Sequence, residues 1–346
     1  MELEIETTGI CNAQCPFCSK FTFNQGRSGQ PVEIYNRAPI LSKEILDVKS
    51  FDKLCRSIKE PKIKFDFQGS YGDPMAHPKI LELITSAAQV ENAEVELKTN
   101  GSLKHEKLYK ELAKYLNTKD RKLFFSVDAY GNRNAIYRRG TDWEKIIGNM
   151  RAFTESGGKA VWKVVFFEKN MGDYRNMEKL ARRLGFVSFF IHPNRITSKE
   201  SRTAIFKIPK EYKPKPHVDF KTDYVSHFKH YKTVECRHLN SDGEQYYFIG
   251  CDSKVYPCCD LWGDMVEDDP RVRRLASLVT SSQSDEISLK HHSFYDIING
   301  NKFKKIDHLI KFKPNMLCKK NCGCESDKMD KVFKIMTSEV SGPNDA

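Results

Sequence analysis

The chain has 346 residues, 39% of them hydrophobic and 30% charged, with a formal net charge of +11. That length suits one large α/β domain with a smaller companion, and the composition excludes a disordered or low-complexity chain. No apolar run reaches the roughly 18 residues that a membrane span needs, and the opening Met1-Glu2-Leu3-Glu4-Ile5 is charged and alternating, unlike a signal peptide; a cytoplasmic protein with no membrane partner is expected.

The alternating run Leu3–Glu6 reads as the first strand. Directly after it, Thr7-Thr8-Gly9-Ile10-Cys11-Asn12-Ala13-Gln14-Cys15-Pro16-Phe17-Cys18 places three thiols within eight residues. A closed structural zinc site wants four ligands. Three neighbouring cysteines with no local fourth fit a [4Fe–4S] cluster that keeps one iron open for another molecule. An apolar stripe of Leu46, Phe51, Leu54, Cys55 and Ile58 then predicts a helix, with Cys55 in the core.

From there strands and helices alternate. The strands are Ile63–Phe67, Val95–Lys98, Leu123–Val127, Val161–Phe167 and Phe186–Ile191. Between them lie helical stripes at Ile80, Leu81, Ile84 and Ala87, at Leu108, Leu112 and Tyr115, at Trp143, Ile146, Ile147, Met150 and Phe153, and at Tyr174, Met177, Leu180 and Leu184. Six such strands predict a parallel sheet with right-handed crossovers. They are too few to close an eight-stranded barrel, so the expected fold is α/β: a partial (β/α)6 open TIM-like barrel with a lateral mouth. Chemistry in such folds gathers at the carboxyl ends of the strands.

The candidate binding residues fall at those ends. Gly69-Ser70-Tyr71-Gly72-Asp73-Pro74 follows the second strand, where glycines let the backbone approach a ligand and carbonyls or a carboxylate can meet an ammonium group. Thr99-Asn100-Gly101-Ser102 follows the third strand and Ser126-Val127-Asp128 ends the fourth. In Tyr137-Arg138-Arg139-Gly140, one of the two arginines can clamp a carboxylate.

Lys207–Lys221 carries Pro209, Pro214 and Pro216 among lysines and reads as an extended linker. The expected division is a barrel over 1–200, a linker over 201–230, a small C-terminal domain over 231–330 and a tail over 331–346. Seven of the eleven cysteines lie beyond the linker: Cys236, Cys251, Cys258, Cys259, Cys318, Cys322 and Cys324. Without an export signal they read as thiolate ligands in a reducing compartment. Phe228-Lys229-His230-Tyr231-Lys232 interleaves aromatics with bases, as RNA-binding surfaces do. A solvated linker accounts for it more simply, which disfavours nucleic acid as a partner.

The spacing C-x3-C-x2-C, with Phe17 just before the last cysteine, resembles the signature of the radical S-adenosylmethionine (SAM) enzymes. The resemblance implies an open-iron [4Fe–4S] cluster on Cys11, Cys15 and Cys18 that chelates S-adenosylmethionine and cleaves it to a 5′-deoxyadenosyl radical. It implies cofactor contacts from Phe17, from Gly72, Asp73 and Pro74 as a variant of the family's Gly-Gly-Glu-Pro motif, from Thr99, Asn100, Ser126 and Asp128, and from Arg138 or Arg139 on the methionyl carboxylate. An electron donor such as flavodoxin or ferredoxin is implied as well.

The segments Cys251–Cys258 and Phe294–Phe303 resemble the SPASM/twitch extensions of these enzymes. Seven thiols cannot supply two clusters with four ligands each, so one auxiliary [4Fe–4S] cluster is expected, on Cys236, Cys258, Cys318 and either Cys322 or Cys324. Zinc on the same cysteines is the rival. Cys259 reads as a hydrogen-atom donor, a further ligand or a small core residue, and Asp260 as a general-base candidate. The implied activity is hydrogen abstraction from a peptide or protein, leading to oxidation, cross-linking or epimerisation. The alternatives are a twitch-type dehydrogenase acting on an amino sugar or nucleoside and, further off, a metal-bearing RNA-binding protein.

Overall fold

The structure, a computed structural model, describes residues 1–15, 18, 20–24, 33–36, 43–165, 168–192, 236, 238, 245–266, 285–312, 318 and 337–339. Its strands are β1 (Glu2–Ile5), β2 (Phe21–Asn24), β3 (Glu33–Asn36), β4 (Ile63–Phe67), β5 (Ala93–Thr99), β6 (Arg121–Ser126), β7 (Ala160–Val165), β8 (Ser188–His192), β9 (Tyr246–Ile249), β10 (Val255–Tyr256) and β11 (Thr337–Glu339). Its helices are α1 (Val48–Ser57), α2 (Ile80–Ala88), α3 (Glu106–Ala113), α4 (Asn134–Tyr137), α5 (Trp143–Glu155), α6 (Tyr174–Arg183), α7 (Cys259–Val266), α8 (Phe294–Asn299) and α9 (Asn301–Phe312).

One open sheet organises the chain, in the order β10-β9-β1-β4-β5-β6-β7-β8-β11. The six strands expected from the sequence run parallel through its middle, in chain order. Their alternation has a simple cause. Leu3, Ile5, Phe65, Phe67, Val95, Leu97, Leu123, Phe125 and Trp162 are wholly buried on the helix-covered face, where each large side chain contributes about 1.5–3 kcal/mol of burial. Helix starts follow capping rules: Asp47 accepts from the Ser50 amide at the head of α1, and Asp142 from the Lys145 amide at the head of α5.

The opposite face is polar. Glu4, Asp66 and Glu96 lie in register across β1, β4 and β5, with Lys98 bonded to Asp66 at 2.6 Å. A closed eight-stranded barrel fills the equivalent space with branched apolar side chains; here that face carries polar side chains instead.

The sheet runs on beyond the expected six strands. β9 pairs parallel with β1, β10 turns back on β9, and β11 pairs antiparallel with β8 at the far edge. Tyr247 of β9 packs its ring on Phe294 and Phe303, while Trp262 of α7 covers Phe248 with ring centroids 4.8 Å apart. β2 and β3 form a separate two-stranded hairpin. The proposed linker 201–230 lies outside the described residues, as does most of the tail. Among the described residues no helix is long and apolar enough to cross a membrane.

Candidate functional site

The loop after β1 is held from three sides at the carboxyl ends of the strands. The Asp73 amide donates to the Ile10 carbonyl at 2.8 Å. Asn100 Nδ2 donates to Asn12 Oδ1 at 2.8 Å and lies 3.9 Å from Cys11 Sγ. The Gln14 amide donates to the Arg139 carbonyl at 2.8 Å, and Asn12 Nδ2 to the Gly140 carbonyl at 3.2 Å. Lys20 Nζ reaches back to the Gly9 carbonyl at 2.7 Å. Cys11, Cys15 and Cys18 are thereby presented from one loop, each partly exposed. Burial pushes the Cys11 thiol up to about 12 and Cys15 to about 11, where nearby Arg138 pulls the other way, and it raises Cys18 as well. Such thiols keep their protons until a cation replaces them.

Gly72 is where the loops after β1 and β4 cross. A Cβ at this position would stand 1.8 Å from the Thr8 carbonyl oxygen, so only glycine permits the approach. Glu6, at the end of β1, shapes the same crossing: its carboxylate accepts from the amides of Ser70 at 2.6 Å, Gly72 at 2.8 Å and Tyr71 at 3.2 Å. Burial pushes Glu6 up to about 8, against the three amides that favour its charged form. Glu6 did not emerge from the sequence reading. The only hint was a third acidic residue in the alternation Glu2, Glu4, Glu6.

Asp73 turns inward. Its carboxylate accepts from Thr99 Oγ1 and the Asn100 amide, both at 2.8 Å, and from the Met75 amide at 3.0 Å, capping the short turn Pro74–Ala76. It stitches the end of β4 to the end of β5.

Asp128 is 1% exposed. It accepts from the Val165 amide at 2.7 Å and lies 2.6 Å from Arg138 Nε. Of the two candidate arginines, Arg138 faces the cysteine loop and Arg139 is exposed. Burial works against the charge on Arg138, and Asp128 and Cys15 outweigh it, raising its pKa. Gly140, with φ +84°, closes this turn 2.7 Å (from an ideal Cβ) below the Asn12 carbonyl. Ser126 is half-buried at the end of β6.

In the C-terminal region, Cys236, Cys258 and Cys318 share one small apolar cluster with Leu261, Ile306 and Ile310. Cys259, the next residue, packs instead on the main core, against Tyr246 and Glu4. Cys251 is wholly buried and Asp260 is exposed. Phe17, Cys322 and Cys324 lie outside the described residues. None of the described cysteines forms a disulfide, and among the described residues no three His, Cys, Asp or Glu side chains converge on a single-ion site. The all-sulfur donor set of the β1 loop fits a thiolate-ligated iron–sulfur cluster, and the backbone cradle at Gly72 fits a ligand beside it.

A family model described as the Radical SAM superfamily matches residues 5–181. The chain belongs to this superfamily. Its members are enzymes that use S-adenosylmethionine with a [4Fe–4S] cluster. Among solved structures, native anSMEcpe with bound AdoMet is similar at 16% identity and a TM-score of 0.51, over 93% of this chain and 89% of that one. The same protein with AdoMet and the Cp18Cys peptide gives 15% identity and 0.51, over 93% and 88%. SuiB of Streptococcus suis bound to the precursor peptide SuiA gives 16% identity and 0.47, over 92% and 75%. No curated protein matches. At these identities the likeness is one of fold.

Proposed function

We propose that this radical SAM enzyme takes a hydrogen atom from a peptide or protein held against the polar face of its sheet. The observation that carries the reading is the meeting, at one end of the sheet, of the cysteine loop with Gly72, Asn100 and Arg138. A [4Fe–4S] cluster on Cys11, Cys15 and Cys18, with S-adenosylmethionine, supplies a 5′-deoxyadenosyl radical there. Backbone groups of Gly72 and Asp73 meet the methionyl ammonium, and Pro74 fixes the turn behind them. Arg138, aimed by Asp128, meets the carboxylate. Thr99, Asn100, Ser126 and, beyond the described residues, Phe17 line the nucleoside side.

Residues 1–200 act as this radical-generating barrel and 231–330 as an auxiliary domain. Cys236, Cys258 and Cys318, with Cys322 or Cys324, bind one auxiliary [4Fe–4S] cluster; their shared apolar cluster supports this. Cys259, directed away from that group, donates a hydrogen atom to the substrate radical. Its thiyl is reset by one electron, ultimately from flavodoxin or ferredoxin, and one proton. The solved fold neighbour with a bound peptide supports a peptide substrate.

Anaerobic reconstitution tests the reading. About eight irons per chain (two clusters of four) and 5′-deoxyadenosine release on reduction with S-adenosylmethionine are expected. Cys15→Ala eliminates that release, and persistence of 5′-deoxyadenosine in this variant ends the proposal. Cys258→Ala lowers iron to about four per chain. With substrate turned over in deuterated solvent, Cys259→Ala loses solvent deuterium from the product.

A further inference from the structure

On the polar face of the sheet, Glu4 is a buried carboxylate with no lysine or arginine in contact among the described residues. Glu4 and Asp66 are direct partners across β1 and β4, and Asp66 and Glu96 across β4 and β5. Neighbouring strands stand about 4.8 Å apart, so the three carboxylates form one row. Lys98 and Lys64 pair with it, and Lys122 of β6 stands in register beside Glu96. Lys98 Nζ lies 2.6 Å from Asp66 and 3.4 Å from Glu96, and Lys64 Nζ lies 3.2 Å from Glu96.

Glu4 is left with neutral neighbours at contact. Its Oε2 accepts from the Tyr246 phenol, with Gln68 and Cys259 beside it. Glu4 and Asp66 are each 5% exposed, yet Glu4 Oε1 and Asp66 Oδ1 have no well-formed hydrogen bond among the described residues. Buried carboxylate oxygens are almost always matched in folded proteins, and a buried charge is tolerated only when it is paired. Burial pushes the Glu4 carboxyl pKa up and Asp66 adds to the rise, against Tyr246, Gln68 and Lys98. In position, Glu4 lies two residues before Glu6, about 7 Å along the strand from the residue whose carboxylate holds the Gly72 amide.

We propose that Glu4 and Asp66 together receive an ammonium or guanidinium group of the substrate, so that this enzyme acts on an amine-bearing molecule. The inference rests on the proposed function for the place where the radical forms. The cation is carried either by a peptide side chain or by a small amine. In both cases it meets Glu4 Oε1 and Asp66 Oδ1, with the Tyr246 phenol and Gln68 beside them.

Binding to the reconstituted chain with S-adenosylmethionine, followed by calorimetry, tests this. The probes are n-butylammonium and an acetyl-Gly-Lys-Gly-amide peptide, with n-butanol and the norleucine peptide as uncharged matches. At least one ammonium probe is expected to bind more tightly than its match, and which one does so distinguishes a free amine from a peptide side chain. Glu4→Gln is expected to weaken that probe about tenfold or more, the loss of a charge-assisted contact. Its melting temperature stays level or rises, because the amide still accepts from Tyr246 and buries no charge. Asp66→Asn is the second variant, read in the same way if Glu4→Gln does not fold. Equal affinities for the charged and uncharged probes overturn the inference, as does an ammonium affinity unchanged in the folded variants. 5′-Deoxyadenosine release by the wild-type chain without substrate reports on the radical reading separately, so the two can fail independently.

Discussion

The Arg138 guanidinium stands 2.6 Å from the Asp128 carboxylate, and that pair sets which way the arginine faces. Asp128 is anchored in turn by the Val165 amide at 2.7 Å, and Asn170 Nδ2 donates to its carbonyl at 2.5 Å. Removing one member of a buried pair strands the other charge, which costs about 3–5 kcal/mol. Asp128→Asn is therefore expected to lower the unfolding free energy by about 3 kcal/mol and to weaken S-adenosylmethionine binding together with it. Denaturant titration and equilibrium binding check both effects. An unchanged unfolding midpoint would remove Asp128 from this role. Arg138→Lys keeps the charge but loses the planar fork, so it should weaken cofactor binding more than stability.

Gly72→Ala tests the crossing of the two loops. The added methyl would meet the Thr8 carbonyl oxygen at 1.8 Å, and backbone cannot rotate away as a side chain can. Forcing atoms into a packed site costs about 1–3 kcal/mol, and here the displaced segment leads directly into Cys11. Lower thermal stability and a large loss of iron incorporation are expected together. Full iron content in a folded Gly72→Ala protein would show that the crossing is not needed for the cysteine loop.

His77 supplies a pH dependence. It is almost wholly buried, with Nδ1 accepting from the Lys79 amide at 3.1 Å and Nε2 assigned as donor to the Leu46 carbonyl at 3.0 Å, an arrangement that needs the neutral ring. Burial lowers its pKa below the ordinary 6.5. The unfolded chain then binds the proton first as pH falls, so the stabilisation is complete above 6.5 and is lost as pH drops through the lowered folded value. Melting temperature should fall between about pH 7.5 and pH 5.5, with a shallower slope in His77→Gln. Parallel slopes would assign the effect to another group.

How much of this was legible depended on the length over which a pattern repeats. The six central strands show themselves because each alternates or runs apolar over four to seven residues against a helix layer. β10 has two residues and cannot show a period at all. β9, Tyr-Tyr-Phe-Ile, is buried on both faces and so does not alternate. The cysteine loop announces its chemistry through spacing, since its residues are close in sequence. Glu6 does not, because the amides that it holds lie 64 to 66 residues further on and only the fold brings them together. Arg138 and Arg139 are equivalent as letters; burial and Asp128 separate them.

Asp73 stands where the resembling family motif has glutamate, and its surroundings explain why a longer acid would not serve. Four donor–acceptor contacts from Thr99, Asn100 and Met75 close on its two oxygens at 2.8–3.1 Å, and the residue is 4% exposed. One extra methylene would carry the carboxylate past the Asn100 amide into packed atoms, at a cost of about 1–3 kcal/mol. Asp73→Glu, although it restores the commoner residue, is thus expected to lower the melting temperature and loosen the joint between the β4 and β5 ends. Because Asn100 links that joint to Asn12 at 2.8 Å, the damage should reach the cysteine loop, seen as weaker S-adenosylmethionine binding at unchanged Cys11, Cys15 and Cys18. A variant with wild-type stability and binding would mean that the pocket has room for glutamate and that the hydrogen bonds to Asp73 do not set its length.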